Sequence, residues 1–356
     1  MEQRENARRL VLVYTALLLG VCAFTWLGKT LSFVFAPLLA AWFICYLIVP
    51  IVHMLEAKRV PRPLGYAWVF AVTIGIAALI GRATSESVAI FRSNSSQYQE
   101  NVDHLLERIS VLYRSLGLIP SDQRLELSQV LSTIPADGAF SLISGGTAYA
   151  TSLLGFVSAT LFLLLFMLWE SESFSKRVKS AYGEARGVRI LSLFALFNRD
   201  MRRYVLLKVA VSAVTGAAAF LVMYAYNLDF AAMLALLVFL LNFIPYVGSI
   251  LSTLLPFLVA ALQFAGWQEP LILSGLIIAI HQILGNVVEP KLQGKSLDIS
   301  PLVILVTLVY FGWMWGIVGM VVSVPLTSAI RLVLEQFEIT RSFARMIRDT
   351  GSTDRD

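Results

Sequence analysis

Apolar residues along this chain fall in long uncharged runs separated by short polar stretches, the pattern of helices that cross a bilayer. A helix rises 1.5 Å per residue, so about 20 apolar residues cross roughly 30 Å of hydrocarbon. Residues 10–28, 30–52, 63–81, 148–169 and 209–228 meet that requirement without one charged side chain. The first of these runs is too long for a signal-peptide core and reads as a membrane helix.

Three later runs are different. Residues 230–268 and 299–330 are uncharged but longer than one crossing needs, and each is interrupted near its middle by residues that disrupt helices. The first interruption is Asn242-Phe243-Ile244-Pro245-Tyr246-Val247-Gly248; the second is Phe311-Gly312-Trp313-Met314-Trp315-Gly316. Arms of about 15 residues reach only some 20 Å, which suits two re-entrant hairpins with tips at the breaks; one kinked helix for each run is the alternative. Between them, residues 270–288 have the length of one span yet contain His281 and Asn286. The expected fold is therefore all-α: a polytopic integral membrane helical bundle of about eight membrane segments, two of them broken or re-entrant in the C-terminal half.

Lysine and arginine placement orients the bundle. Residues 1–9 carry three arginines, 54–64 carry Lys58, Arg59 and Arg62, and 170–208 hold nine basic residues against four acidic ones. Residues 91–146 hold four basic and six acidic. Both termini and the 170–208 stretch are thus expected in the cytoplasm, and 91–146 outside. The chain then divides into three N-terminal membrane helices (1–90), an extracytoplasmic helical insert (91–147) and a fourth membrane helix (148–169). A basic amphipathic cytoplasmic helix (170–208), a C-terminal bundle (209–334) and a cytoplasmic tail (335–356) follow. In the basic helix an apolar stripe of Phe174, Val178, Ala181, Ala185 and Val188 runs beside Lys176, Arg177, Lys179, Arg186 and Arg189; it suits either anionic lipid or packing on neighbouring helices.

Composition agrees with this reading. Hydrophobic residues are 58% and charged residues 14%, against about 45–50% and 25% in a soluble domain. The net charge of +5 resides in loops between apolar runs, so it points to cytoplasmic loops and not to nucleic acid. Cys22 and Cys45 lie inside apolar runs with no CxxC or Cys/His cluster.

Polar groups inside a bilayer are costly unless paired or facing water, which makes them functional candidates. His281, Gly285 and Glu289 fall at i, i+4, i+8, and Gln282 and Asn286 form an adjacent i, i+4 pair. This stripe either lines a solute path or holds the bundle together by interhelical hydrogen bonds. Backbone freed at Asn242–Gly248 survives at membrane depth only when buried in protein or facing water; a simple proline kink is the blander reading. Asn242, Pro245, Gly248, His281, Gln282, Asn286 and Glu289 are accordingly the expected substrate path. Gly312, Trp313, Trp315 and Gly316 are the expected gate or hairpin tip, although tryptophan pairs also mark membrane interfaces. No other ligand-type residue sits at metal-binding spacing from His281, and HExxH, GxSxG, Walker A and GxGxxG patterns are missing. Neither an enzyme, a cofactor nor a metal site is expected.

Three blocks carry a family resemblance: Asn242 to Gly248 with Ser249; Gly285-Asn286-Val287-Val288-Glu289-Pro290-Lys291 with Gly294; and Val318-Gly319-Met320-Val321-Val322-Ser323-Val324-Pro325-Leu326-Thr327. In order and spacing the chain resembles the autoinducer-2 exporter family, the PerM-like permeases. The resemblance implies a bacterial inner-membrane transporter exporting autoinducer-2 or a similar small polar molecule, assembled as a homo-oligomer, a pentamer. Other members resemble sodium/proton antiporters, so a cation/proton antiporter is the runner-up and a non-transporting membrane scaffold a third reading.

Overall fold

The structure is a computed structural model describing residues 18–57, 146–264, 266–293 and 299–336 continuously, with isolated positions elsewhere. Among the described residues all regular structure is helical. In chain order the helices are α1 (Leu18–Thr30), α2 (Ser32–Ala57), α3 (Gly146–Tyr182), α4 (Glu184–Ala225), α5 (Ala231–Leu241), α6 (Val247–Gln263) and α7 (Gln268–Ile283). A π-helical turn (Leu284–Val288) leads into α8 (Glu289–Gln293), and α9 (Pro301–Glu335) follows. Four helices among the described residues are long and apolar enough to cross a membrane, or five counting the bent pair within α3. The span expected at 63–81, the insert at 91–147 and the tail fall largely outside the described residues.

Hydropathy marks where a helix leaves the apolar phase, and not where the helix ends. α3 therefore runs on past 169 to Tyr182, and α4 begins at Glu184, well before the apolar run at 209. Gly183 separates the two with φ 76°, a left-handed conformation that glycine adopts without a Cβ penalty.

The chain divides into two compact units, one of residues 1–49, 155–201 and 297–356 and the other of 50–154 and 202–296. In the first, Phe311, Met314 and Trp315 are buried among Phe35, Ala36, Leu39, Tyr310 and Leu326. Trp315 stacks on Phe311 at 5.4 Å and donates its indole N–H to the Gly28 carbonyl at 2.9 Å. The helical course of α9 is interrupted at Trp315 (φ −128°, ψ 16°) and Gly316 (φ 64°, ψ −143°). A Cβ on Gly319 would lie 1.9 Å from the Phe311 carbonyl oxygen. Eight residues of continuous helix would separate those positions by about 12 Å, so the chain turns back on itself there.

In the second unit, Leu234, Ala235 and Val238 of α5 pack with Ala260 of α6, Leu273 and Ile277 of α7, and Ala219 and Met223 of α4. Gly216 lets α4 approach α5, since a Cβ there would meet Phe239 Cβ at 3.0 Å; small residues bring membrane helices this close. Asp229, just before α5, donates its amide N–H to the Gln263 side chain at the end of α6 (2.6 Å), and Gln263 donates to the Asn227 carbonyl (2.8 Å). Both ends of the 229–263 segment thus meet, and α5 and α6 form a helical hairpin. Its turn carries Tyr246 at φ 61°, ψ −58°, a conformation costly for a bulky residue and one that tends to persist at functional positions.

Candidate functional site

The candidate polar residues of the second unit lie on α4, on α6, from α7 through α8, and at the α5–α6 turn, and they do not form one stripe. The π-helical turn at Leu284–Val288 shifts the helical register between His281 and Glu289, and such turns recur at functional sites. Three separate arrangements result.

His281 is buried and faces α6, where its Nε2 shares a 2.7 Å hydrogen bond with the Ser252 hydroxyl. Gln282 and Asn286 are exposed and hydrogen-bond each other, Asn286 Nδ2 donating to Gln282 Oε1. Glu289 turns to α4: Lys208 Nζ donates to both of its carboxylate oxygens, at 2.8 and 3.0 Å, with side-chain exposures of 9% and 14%. One turn along α4, Ser212 accepts a 2.9 Å hydrogen bond from Asn242 Nδ2 in the buried interior. Lys208 and Ser212 are an i, i+4 pair, so a single face of α4 holds Glu289 and Asn242 together.

An open groove of about 430 Å³ lies along α6 and α7. Its apolar groups are Ile250, Leu254, Phe257, Leu271 and Ile278, and its polar groups are Ser249 and Thr253 on α6 with Ser274, His281 and Gln282 on α7. None of these side chains carries a fixed charge. Ser274 is buried and its hydroxyl has no hydrogen-bond partner among the described residues. A buried unpaired hydroxyl costs about 1–3 kcal/mol. A few placed donors and acceptors in an apolar cleft of this size is the usual character of a small-molecule site.

Of the residues expected on the substrate path, His281 and Gln282 line this groove, whereas Asn242 and Glu289 are engaged by α4. Pro245 and Gly248 form the hairpin turn, with Gly248 buried against Leu241. Gly312, Trp313, Trp315 and Gly316 belong to the other unit. There Lys29 donates to the Trp313 carbonyl and its Nζ stands 4.9 Å from the Trp313 ring centre, a cation–π contact. Sequence reasoning missed Lys208, Ser212, Ser249, Ser252, Thr253 and Ser274. Lys208 and Ser212 did leave a signal, as the last charge before an apolar run with a hydroxyl one turn on. Ser249 stood in the first family block, but Ser252 and Ser274 left no signal, because isolated serines are common in membrane helices.

Comparison with known proteins places the chain in context. The family described as AI-2E family transporter matches residues 12–339. The chain is 26% identical over 344 residues to the AI-2 transport protein TqsA of Escherichia coli K12, covering 97% of this chain and 96% of that one. It is 28% identical over 323 residues to a putative transport protein of Borreliella burgdorferi, covering 89% and 85%. It is also 28% identical over 306 residues to the putative transport protein YhhT of Escherichia coli K12, covering 85% and 84%.

Proposed function

The chain belongs to the AI-2E transporter family, and from that premise we propose that it is a secondary transporter exporting a small, uncharged, hydroxyl-rich solute, autoinducer-2 foremost. The observation that carries this reading is the α6–α7 groove. Its hydroxyl, imidazole and amide groups suit a neutral polyol better than an ion, which would want a fixed counter-charge. Homo-oligomeric assembly and the bacterial inner membrane are the setting the family resemblance implies.

In this proposal α5–α6 is a re-entrant hairpin entering from outside and α9 a second one entering from the cytoplasm. Contacts within the second unit support the first hairpin. Asn94 donates to Asp229 at 2.9 Å, and Asn101 donates to the carbonyls of Leu262 and Gln263 at 2.9 and 3.1 Å. Both hairpin ends therefore share one end of the unit with positions expected outside. At the opposite chain positions, Arg203 donates to the Leu292 carbonyl (3.2 Å), next to the Lys208–Glu289 pair. That groups 289–292 with the basic stretch expected in the cytoplasm. A cysteine at Gly294, in a background without Cys22 and Cys45, is expected to react with an impermeant thiol reagent only from the cytoplasmic side. Labelling only from outside overturns the orientation.

Transport is tested in everted vesicles with autoinducer-2 efflux and sodium/proton exchange measured in parallel. Ser274→Leu fills the groove, and His281→Ala removes a polar wall and leaves Ser252 only its 3.2 Å hydrogen bond to the Ser249 carbonyl. Both are expected to lower autoinducer-2 flux at least tenfold at unchanged protein level, while Gly275→Ala on the same helix leaves it intact. Undiminished flux in both variants sinks the groove as the path. Sodium/proton exchange without autoinducer-2 flux establishes the antiporter reading, which the buried carboxylate of Glu289 favours.

A further inference from the structure

The basic stretch 170–208 plays no part in the groove, yet its geometry within the first unit is specific. α3 bends by 63° between its parts Leu154–Glu170 and Ser173–Tyr182. The apolar part has the composition of a span, and the bend comes where charge begins. Beyond it, Gly183 reverses the chain, and a Cβ on Gly187 would stand 2.9 Å from the Lys179 Cα of the preceding arm. Phe174 meets Phe194 edge-on at 5.5 Å. Twenty residues of one straight helix would stand about 30 Å apart, so Ser173–Tyr182 and the start of α4 lie side by side as antiparallel arms.

The outer face of the second arm is patterned. Arg186, Arg189, Leu193 and Leu196 fall at i, i+3, i+7 and i+10, within about 80° of the helix circumference at 3.6 residues per turn. All four are exposed, Leu193 by 36% and Leu196 by 50%. Lys179 is engaged by Glu184 and Arg177 by Glu170, whereas Arg186 and Arg189 have no ion-pair partner among the described residues. The level of this arm is fixed at its base: Tyr46 donates to Asn198 at 2.8 Å and Trp42 stacks on Phe197 at 6.1 Å. Trp42 and Tyr46 lie inside the uncharged run of α2, so the arm starts beside membrane-embedded residues and not out in the cytosol.

We propose that the Arg186–Leu196 face docks on the anionic headgroups of the cytoplasmic leaflet, its leucines entering the acyl boundary and its arginines meeting lipid phosphates. Mixed apolar and cationic stripes on helices lying flat at the interface bind in this way. Charge complementarity selects the occupant: two arginines without ion-pair partners among the described residues, in line with two exposed leucines, match anionic headgroups above an acyl boundary. The inference rests on the cytoplasmic orientation proposed above and is independent of the exported solute.

The test uses the full-length protein with Cys22 and Cys45 replaced and a nitroxide at Leu193→Cys, reconstituted in phosphatidylcholine alone or with phosphatidylglycerol. With the anionic lipid, the label is expected to be relaxed by oxygen more than by a water-soluble nickel chelate; in phosphatidylcholine alone the order reverses. Each arginine near an anionic surface contributes about fivefold to such a partition, so Arg186→Gln with Arg189→Gln shifts the docked-to-exposed ratio about thirtyfold. Molar salt, with its Debye length of about 3 Å, produces a comparable loss. Equal water access in both lipids, or spin–spin broadening that ignores lipid composition, overturns the proposal while leaving the transport reading intact. Quenching of the label from outside intact cells overturns the orientation itself.

Discussion

Lys208→Met or Glu289→Leu alone is expected to destabilise the protein by about 3–5 kcal/mol, the cost of leaving one charge buried without its partner. Both side chains are nearly covered, at 9% and 14% exposure, and the ammonium meets both carboxylate oxygens. The Gln293 side-chain amide reaches the carboxylate only at 3.5 Å, too far to replace the lysine. The double variant is expected to recover most of the loss, because two apolar side chains of similar size leave no orphaned charge. Thermal unfolding in detergent, followed by loss of the monodisperse species on size-exclusion chromatography, measures all four combinations. Single variants within 1 kcal/mol of the parent would mean the pair is solvated.

The same cycle separates packing from mechanism. If the ion pair only ties α4 to the π-helical turn, the double variant folds and transports. If Glu289 must release Lys208 during the cycle, the double variant folds and does not transport. Asn242 lies on the same α4 face through Ser212, so a movement that separates Glu289 from Lys208 would also strain the base of the hairpin turn. That linkage gives α4 the means to report the state of one end of α7 to the break between α5 and α6.

The all-helical, membrane-spanning character of the described residues was legible because a bilayer imposes a one-dimensional signal. Uncharged runs of the right length mark helices, and Pro245, Gly248, Gly312 and Gly316 mark where a run must bend. Two things were not legible. One is the end of a helix outside the apolar phase: the charges from Glu170 onward end the hydropathy signal but are good helix formers, so α3 continues to Tyr182 and only Gly183 stops it. The other is pairing. Lys208 meets Glu289 across 81 positions and Ser252 meets His281 across 29, and no local pattern encodes which hydroxyl or ammonium a stripe residue will choose. The expected single stripe of His281, Gly285 and Glu289 assumed unbroken α geometry. The π-helical turn at Leu284–Val288 sends its members to different neighbours, and Gly285 is its only hint in the sequence.

Gly248→Ala and Gly319→Ala are each expected to cost more than about 3 kcal/mol and to abolish transport, the largest effects of one added methyl group among the described glycines. The argument is steric. A Cβ at position 248 would stand 1.9 Å from the Leu241 carbonyl oxygen, and one at 319 would stand 1.9 Å from that of Phe311. Overpacking usually costs about 1–3 kcal/mol because flexible side chains give way. Here the obstacle is backbone, so relief requires opening the turn that brings the two arms together. Gly312 differs: its nearest neighbours are side-chain atoms of Met320, Cγ at 2.8 Å and the terminal methyl at 2.9 Å, a flexible side chain and not backbone, so Gly312→Ala is expected to cost less than either. Gly275 has nothing within 4 Å, and Gly275→Ala on α7 gains up to about 1 kcal/mol of helix propensity. Ranking the four alanine variants by detergent-resistant yield and melting temperature checks the whole set. Gly248→Ala or Gly319→Ala melting beside Gly275→Ala would show that the arms are not held at the observed distance, and the re-entrant reading of that segment would fall with it.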